Sequence, residues 1–550
     1  MLETLKSIPL FNNLNAEELQ LVASQLQYVS YPKGEVIFRQ GEIGDTMYLV
    51  EKGRVVVWDE EADEALAYLG PGSFVGEIAL LLAEPRSASL RVVIDADLYA
   101  LRKDDFDELL KTNPAIAIHM TRVLSQRLVD TTRHKFKAKD RPISVLWGKG
   151  GIELARALVR LLKGKVGLLP LVGAHLDSDV TLSSGIMLLP SAEITEENLA
   201  EHLGIQVEVF SHILILLPAE SNALARKAVD LADTVISVGH APAWIKNRVD
   251  AQKLWQADED LTKLDRIARR LTGRTVGLAL SSGGARGLAH IGVIKVLRQE
   301  NIPIDLMAGS SAGAFFGSFF AAGWSNERFE KFAEEIKTFN SIRNWDINLP
   351  PRSGLLRGAR AKHLIERLLD GRNFADLDIP FYCVAADIMT GEEVIFGPDS
   401  SVPLSDAIRA SISIPMVADP WQINGRYLID GATVDPVPAK LLRDKGADIV
   451  IASSVIQPLH ERPVNKMEKM PHFMTIISNI LGSMEAELVK SQEEFVDVLI
   501  HSKAEALHNL DFDNAQNLIR VGEMAARVQL PAIRSLLEGN GQNHSSNGTS

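Results

Sequence analysis

Hydrophobic and polar positions change rhythm several times along this chain. Between Tyr31 and Val75, short apolar runs such as Val36-Ile-Phe and Met47-Tyr-Leu-Val are cut by glycine turns. That rhythm predicts a small antiparallel β-barrel or jelly roll with flanking helices. Residues 115–131 then place Ile116, Met120, Val123, Leu124 and Leu128 at helical spacing, which suits a dimerising or signal-carrying helix and equally a helix packed on the barrel. From 142 to 255, strand-like runs at 143–147, 166–171, 213–217 and 234–238 alternate with helical stretches such as 151–162, predicting a small α/β layer domain. A second α/β alternation opens at Thr275. Residues 466–538 read as helical, with Met474, Ile477, Leu481, Met484 and Leu488 as the apolar positions, and are expected to cover the preceding core. From Gly539 onward the chain is small, polar and expected to be disordered.

The resulting division is multidomain: a barrel at 1–132, a basic linker at 133–141, an α/β middle domain at 142–260, a linker helix at 261–274, a second α/β domain at 275–455, C-terminal helices at 456–538 and a tail at 539–550. At 550 residues there is room for several cores. A formal net charge of −13 argues against nucleic acid as a partner. No run of about 18 apolar residues is present, so no membrane span is expected, and no signal pattern opens the chain. The single cysteine, Cys383, fits a reducing, cytoplasmic setting. Lys263 to Arg274 forms a basic amphipathic stretch, a candidate for peripheral membrane contact or for bridging domains.

The chemistry is concentrated after residue 275. Gly309, Ser311 and Gly313 form G-x-S-x-G between the strand-like 302–308 and an apolar helix from Ala314. This is the layout of a nucleophile elbow, where a strained serine needs small neighbours. Upstream, Ser281-Ser-Gly-Gly-Ala-Arg-Gly follows a strand, and such a loop leaves backbone N–H groups free for an oxyanion. A dinucleotide cradle is disfavoured because Ser282 stands where the first glycine of G-x-G-x-x-G belongs. Downstream, Asp430-Gly-Ala closes a strand. Phe315, Phe316, Phe319 and Phe320 recur at helical spacing and are expected to pack in the core; Trp324, Trp345 and Leu349-Pro-Pro are candidates for the rim of an acyl pocket.

In these three motifs, and in Gly284-Ala-Arg-Gly-Leu-Ala-His-Ile-Gly and Ala407-Ile-Arg-Ala-Ser-Ile-Ser-Ile-Pro, residues 275–455 resemble the patatin-like phospholipase family. The resemblance implies a Ser-Asp dyad with Ser311 as nucleophile and Asp430 as general base. It also implies an oxyanion hole from the backbone of Gly283, Gly284 and Ala285, with no catalytic cofactor or metal. Ser281 and Ser282 depart from the family's usual glycines. An α/β-hydrolase triad using His460 is the competing arrangement, while His290 is expected to pack or to brace the loop. The substrate implied is a phospholipid or lysophospholipid ester.

The segment Gly72-Ser-Phe-Val-Gly-Glu-Ile-Ala, continuing to Glu84-Pro-Arg-Ser-Ala-Ser, resembles the phosphate-binding cassette of cyclic nucleotide-binding domains. Gly76, Glu77, Arg86, Ser87 and Ser89 are the candidate contacts: Arg86 for the cyclic phosphate, Glu77 for the ribose hydroxyl, and Ser87 or Ser89 for an added hydroxyl contact. Cyclic nucleotide, cAMP or cGMP, is thus the candidate allosteric ligand. The domain order resembles neuropathy target esterase-type lysophospholipases in shortened form. Expected is a cytoplasmic serine acylhydrolase acting peripherally at membranes, with a homo-oligomer as one option. The alternative is a cyclic nucleotide-binding regulatory or scaffold protein with an inactive hydrolase domain.

Overall fold

The computed structural model describes residues 16–60, 64–77, 85–112, 143–174, 184–250, 253–257, 263–336, 353–457, 473–503 and 514–538, with Leu5, Phe11 and Asp346. The helix expected at 115–131, the basic linker, Trp345, Leu349-Pro-Pro, His460 and the tail lie outside the described residues. The chain divides into two compact units, Met1–Thr272 and Gly273–Ser550.

The first unit opens with α1 (Ala16–Ser24), then β1 (Gln27–Tyr31), β2 (Val36–Phe38), β3 (Thr46–Asp59), β4 (Glu64–Leu69), β5 (Phe74–Val75), β6 (Ser89–Arg102) and α2 (Lys103–Thr112). The strands form one antiparallel sheet in the order β1-β6-β3-β4, with β2 on β6 and β5 on β3. Register shifts along β3 and β6 bend this long hairpin, as bulges do in small barrels. Gly53 sits at one shift; a Cβ there would lie 2.0 Å from the Asp95 carbonyl oxygen.

A parallel sheet follows in the same unit: β7 (Ile143–Trp147), α3 (Gly151–Leu162), β8 (Val166–Pro170), β9 (Ile186–Leu188), α4 (Leu199–Val209), β10 (His212–Leu216), α5 (Ala223–Leu231), β11 (Thr234–Val238), α6 (Ala243–Lys246), β12 (Leu254–Ala257) and α7 (Leu264–Leu271). Its strand order is β12-β11-β7-β10-β8-β9. Apolar side chains cover both faces, which is why the strand runs are continuously hydrophobic rather than alternating. Ile94 of the barrel shares a cluster with Leu203, Val207 and Ala228. Four ion pairs frame that contact: Arg54–Glu208 at 2.6 Å, Lys227–Asp95 at 2.5 Å, Lys33–Asp233 at 3.0 Å and Lys52–Glu201 at 3.0 Å. The basic amphipathic stretch is α7. Its Leu264, Ile267 and Ala268 are buried in the cluster with Ile152 and Leu158 of α3, so its apolar face is used inside this unit and is not offered to lipid.

The second unit runs β13 (Val276–Leu280), α8 (Leu288–Gln299), β14 (Leu306–Ser310), α9 (Ala312–Ala321), α10 (Asn326–Glu335), β15 (Gly354–Leu356), α11 (Ala359–Leu368), β16 (Phe381–Asp387) and β17 (Glu393–Phe396). It continues with α12 (Leu404–Ser411), β18 (Met416–Ala418), β19 (Trp421–Ile423), β20 (Arg426–Asp430), α13 (Ala439–Asp444), β21 (Ile449–Ser454), α14 (Phe473–Gln492), β22 (Val498–His501) and α15 (Ala515–Leu537). The main sheet is ordered β19-β20-β16-β14-β13-β21-β22. The five strands from β16 to the edge strand β22 are parallel, whereas β20 and β17 run antiparallel to β16. This puts the C-terminal ends of β13 and β14 beside the end of β20. Phe316, Phe319, Phe320 and Trp324 are buried in one core. Trp324 stacks on Phe319 with ring centroids 4.5 Å apart, so it packs behind the sheet and does not rim a pocket. Among the described residues, no helix is long and apolar enough to cross a membrane.

Candidate active site

Ser311 sits between β14 and α9 with φ 52 and ψ −117. A side chain at positive φ is strained, and such strain persists only where neighbours over-determine it. The two motif glycines show how. A Cβ on Gly309 would lie 2.4 Å from the Gly313 carbonyl carbon, and one on Gly313 would lie 2.1 Å from the Leu280 oxygen. Neither position has room for a larger residue. The Ser311 N–H donates to Ser411 Oγ at 2.9 Å, locking the turn to α12.

Asp430 arrives from the antiparallel edge, opposite Ala385 on β16. Ser311 Oγ–H donates to Asp430 Oδ2 at 2.6 Å, and the Ala432 N–H donates to Oδ1 at 2.9 Å. The Asp430 main chain is pinned too: its N–H donates to the Ser413 oxygen, and Thr433 Oγ1 donates to its carbonyl. Gly431 must be glycine, because a Cβ there would meet the Val384 oxygen at 2.3 Å. Both side chains are buried, Ser311 at 5% and Asp430 at 3% exposure. Burial lifts the Asp430 carboxyl from 3.8 to about 7, against the lowering effect of its bonds to Ser311 and Ala432, with the Glu485 charge adding to the rise.

The third component is the loop after β13. Gly283 has φ 151 and Gly284 φ 58, and a Cβ on Gly283 would strike Val455 at 2.3 Å. The Ser281 and Ser282 N–H groups are bonded, to the Ser453 and Pro436 oxygens, whereas no backbone acceptor takes the N–H of Gly283, Gly284 or Ala285 among the described residues. Three adjacent free donors at the start of a helical turn suit a developing oxyanion. His290 is not at the dyad: its Nδ1 meets Ser453 Oγ at 2.8 Å and its Nε2 meets the Ser281 oxygen at 2.9 Å. Burial pushes its ring down to about 4.

The barrel carries the other expected site. Gly76 has φ 87, and a Cβ there would come within 2.6 Å of Arg86 Nη1. Arg86 is 6% exposed; Nη1 donates to the Gly76 oxygen at 3.0 Å, Nη2 donates to the Thr46 oxygen, and the guanidinium lies 4.0 Å from the Phe38 ring centroid. Glu77 is buried on the same turn. Of the two candidate serines, Ser87 is exposed. Ser89 faces inward instead: its Oγ accepts from the Gln40 N–H and donates to Glu60.

Sequence motifs named the dyad and the loop but missed Ser411, Ser413 and Ser453, which fix them. Ser411 acts through its hydroxyl and stands in the Ala407-to-Pro415 segment, where it could have been noticed, whereas Ser413 holds Asp430 through its main-chain oxygen, which no side chain announces.

Residues 278–443 match the model of the family Patatin-like phospholipase, and residues 28–113 match that of the cyclic nucleotide-binding domain. An uncharacterized NTE family protein of Mycobacterium bovis is 26% identical over an alignment of 592 residues covering 97% of each chain. Lysophospholipase nte1 of Aspergillus fumigatus is 24% identical, covering 78% of this chain and 36% of its own length. Patatin-like phospholipase domain-containing protein 6 of Pongo abelii is 23% identical, covering 78% of this chain and 38% of its own. The chain therefore joins a cyclic nucleotide-binding domain to a patatin-like phospholipase domain, and is a lipid hydrolase of that kind.

Proposed function

We propose that the chain hydrolyses carboxylic ester bonds of lysophospholipids or phospholipids through a Ser311–Asp430 dyad and an acyl-serine intermediate. The observation that carries this reading is the buried 2.6 Å hydrogen bond from the strained Ser311 hydroxyl to Asp430. An ordinary aspartate is too weak a base for an alcohol. One held at about 7 by burial is matched to proton transfer near neutrality.

In the first half-reaction Ser311 Oγ attacks the ester carbonyl carbon while Asp430 takes its proton. The N–H groups of Gly283, Gly284 and Ala285 hold the oxyanion. Collapse breaks the ester C–O bond, and Asp430 returns the proton to the departing glycerol oxygen. Water then attacks the acyl-serine with Asp430 as base, releasing the fatty acid and restoring the Ser311 hydroxyl. The names of the fungal relatives support lysophospholipid as the substrate class. Contact with the lipid surface is peripheral. cAMP or cGMP is the ligand proposed for Gly76, Glu77, Arg86 and Ser87, with control of hydrolysis as its role.

Purified protein should release fatty acid from lysophosphatidylcholine. Ser311→Ala and Asp430→Asn should each lower kcat by at least about 10³-fold with the fold intact. Activity surviving in Ser311→Ala would sink the dyad. No turnover on any ester by the wild type would favour a regulatory protein with an inactive hydrolase domain. Arg86→Ala should weaken cyclic nucleotide binding and leave basal hydrolysis unchanged.

A further inference from the structure

Ser281, where this chain departs from the glycine-rich pattern, uses every polar atom it has. Its N–H donates to the Ser453 oxygen at 3.0 Å, prolonging the β13–β21 ladder by one residue. Its carbonyl accepts from His290 Nε2 at 2.9 Å. Its Oγ accepts from the Val455 N–H at 3.0 Å and donates to the Ser282 oxygen at 2.8 Å. Since a carbonyl can only accept, Nε2 carries the His290 proton. A neutral ring then leaves Nδ1 to accept from the Ser453 hydroxyl at 2.8 Å. Ser281, His290 and Ser453 are each fully buried at 0% exposure, so water cannot substitute for any of these bonds.

We infer that Ser281, held by His290 and Ser453, is a positioning residue that sets the orientation of the Ser282–Gly283 peptide and thereby presents the Gly283 N–H to the oxyanion. The carbonyl and N–H of one trans peptide point in opposite directions. Binding the Ser282 oxygen to the Ser281 hydroxyl therefore holds the Gly283 N–H on the far side. Flipping that peptide changes ψ of Ser282 and φ of Gly283 together, and glycine accepts either value. The glycine the loop needs to clear Val455 thus also lets the peptide turn over, and the Ser281 hydroxyl selects one of the two states. In the wrong state a carbonyl oxygen would face the developing negative charge. The inference rests on the proposed hydrolysis and on this loop as its oxyanion hole.

The test compares wild type, Ser281→Ala, Ser281→Gly, Ser453→Ala and Ser311→Ala on lysophosphatidylcholine. Two inhibitors accompany it: a long-chain trifluoromethyl ketone, which forms an oxyanion on the nucleophile, and an ether-linked lysolipid, which cannot. Ser281→Ala should lower kcat roughly 10- to 100-fold, below the loss from deleting an oxyanion donor outright. KM and ether-lipid affinity should stay put, and ketone affinity should fall in step with kcat/KM. Ser281→Gly should behave alike, and Ser453→Ala should show a smaller loss of the same pattern. If Ser281→Ala merely loosens the fold, ether-lipid and ketone affinities fall together and the inference is overturned. Unchanged kcat and ketone affinity in both Ser281 variants overturn it as well. A wild type without turnover would bring down the hydrolase reading and this inference together, whereas turnover lost only in Ser311→Ala would bring down the inference alone.

Discussion

Asp430 carries opposite consequences for activity and for stability as pH changes. In the proposed role of base it must be unprotonated, so kcat/KM should rise with pH through about 7 and level off above it. Its folded pKa is raised, so between about 4 and 7 the native state binds more protons than the unfolded chain, and stability falls as pH rises through that window. Asp435, also lifted to about 7 by burial and by the nearby Glu393 charge, adds to the same slope. Asp430→Asn should therefore be inactive yet more stable than wild type at pH 8, by on the order of a few kcal/mol. A melting-temperature series from pH 4 to 8 on both proteins checks this; identical slopes would show that Asp430 is not buried in its charged form. The residues that hold this site divide by their legibility. Gly309 and Gly313 announce themselves because the collisions they avoid are with chain a few residues away or with the neighbouring strand. The Ser281–His290–Ser453 bonds are silent in the sequence, since Ser453 comes from β21, far along the chain, and a serine there reads as any strand residue.

At the scale of elements, α8 and α15 cross at contact distance. A Cβ on Gly292 would lie 1.9 Å from the Ile519 oxygen, and one on Gly522 would lie 1.9 Å from the Ala289 oxygen. The two helices meet backbone to backbone, and neither glycine has a turn to explain it. Gly522→Ala should destabilise the catalytic unit by about 1–3 kcal/mol, the usual cost of overpacking, measured by chemical denaturation. An unchanged midpoint would mean the helices can separate freely. The reading of residues 466–538 as helical covers α14 and α15, but β22 (Val498–His501) lies between them and pairs with β21 in the main sheet, a strand of 4 residues too short to interrupt a helical pattern. Periodicity left the purpose of α7 open between lipid contact and the bridging of domains, because its apolar stripe looks the same whether it meets lipid or Ile152 and Leu158 of α3. Trp324 misled for a similar reason: a tryptophan just past a helix suits a pocket rim, but stacking on Phe319 turned it into the core.

At the scale of the whole molecule, the barrel and the parallel sheet of the first unit share apolar packing and four ion pairs. Arg54 is the buried partner of one, with its side chain 8% exposed against 51% for Glu208. Glu208→Ala should lower the stability of the first unit by about 1–2 kcal/mol, because it strips a nearly buried cation of its counter-charge while the exposed carboxylate tempers the loss. Cyclic AMP at a hundred times its Kd should raise the stability of barrel and sheet together by about 2.7 kcal/mol in one transition. Calorimetry reads both. Two transitions, with only one moved by ligand, would show that the sheet is a passive neighbour. The order of domains was legible because each has its own hydrophobic rhythm; the joining of barrel to sheet was not, since Ile94 and the paired charges carry no pattern of their own.

The crossing of α8 with α15 also bears on when the enzyme can first act. While the chain is being made, the loop proposed as the oxyanion hole, Ser311 and Asp430 all leave the ribosome before α15 does. Until residue 537 has been synthesised, α8 lacks the close backbone packing that α15 gives it at Gly292, and the contacts linking the two helices are among the most distant in sequence within the second unit. Synthesis thus supplies a delay: the reactive groups are complete early, but their scaffold closes only with the arrival of the last described helix.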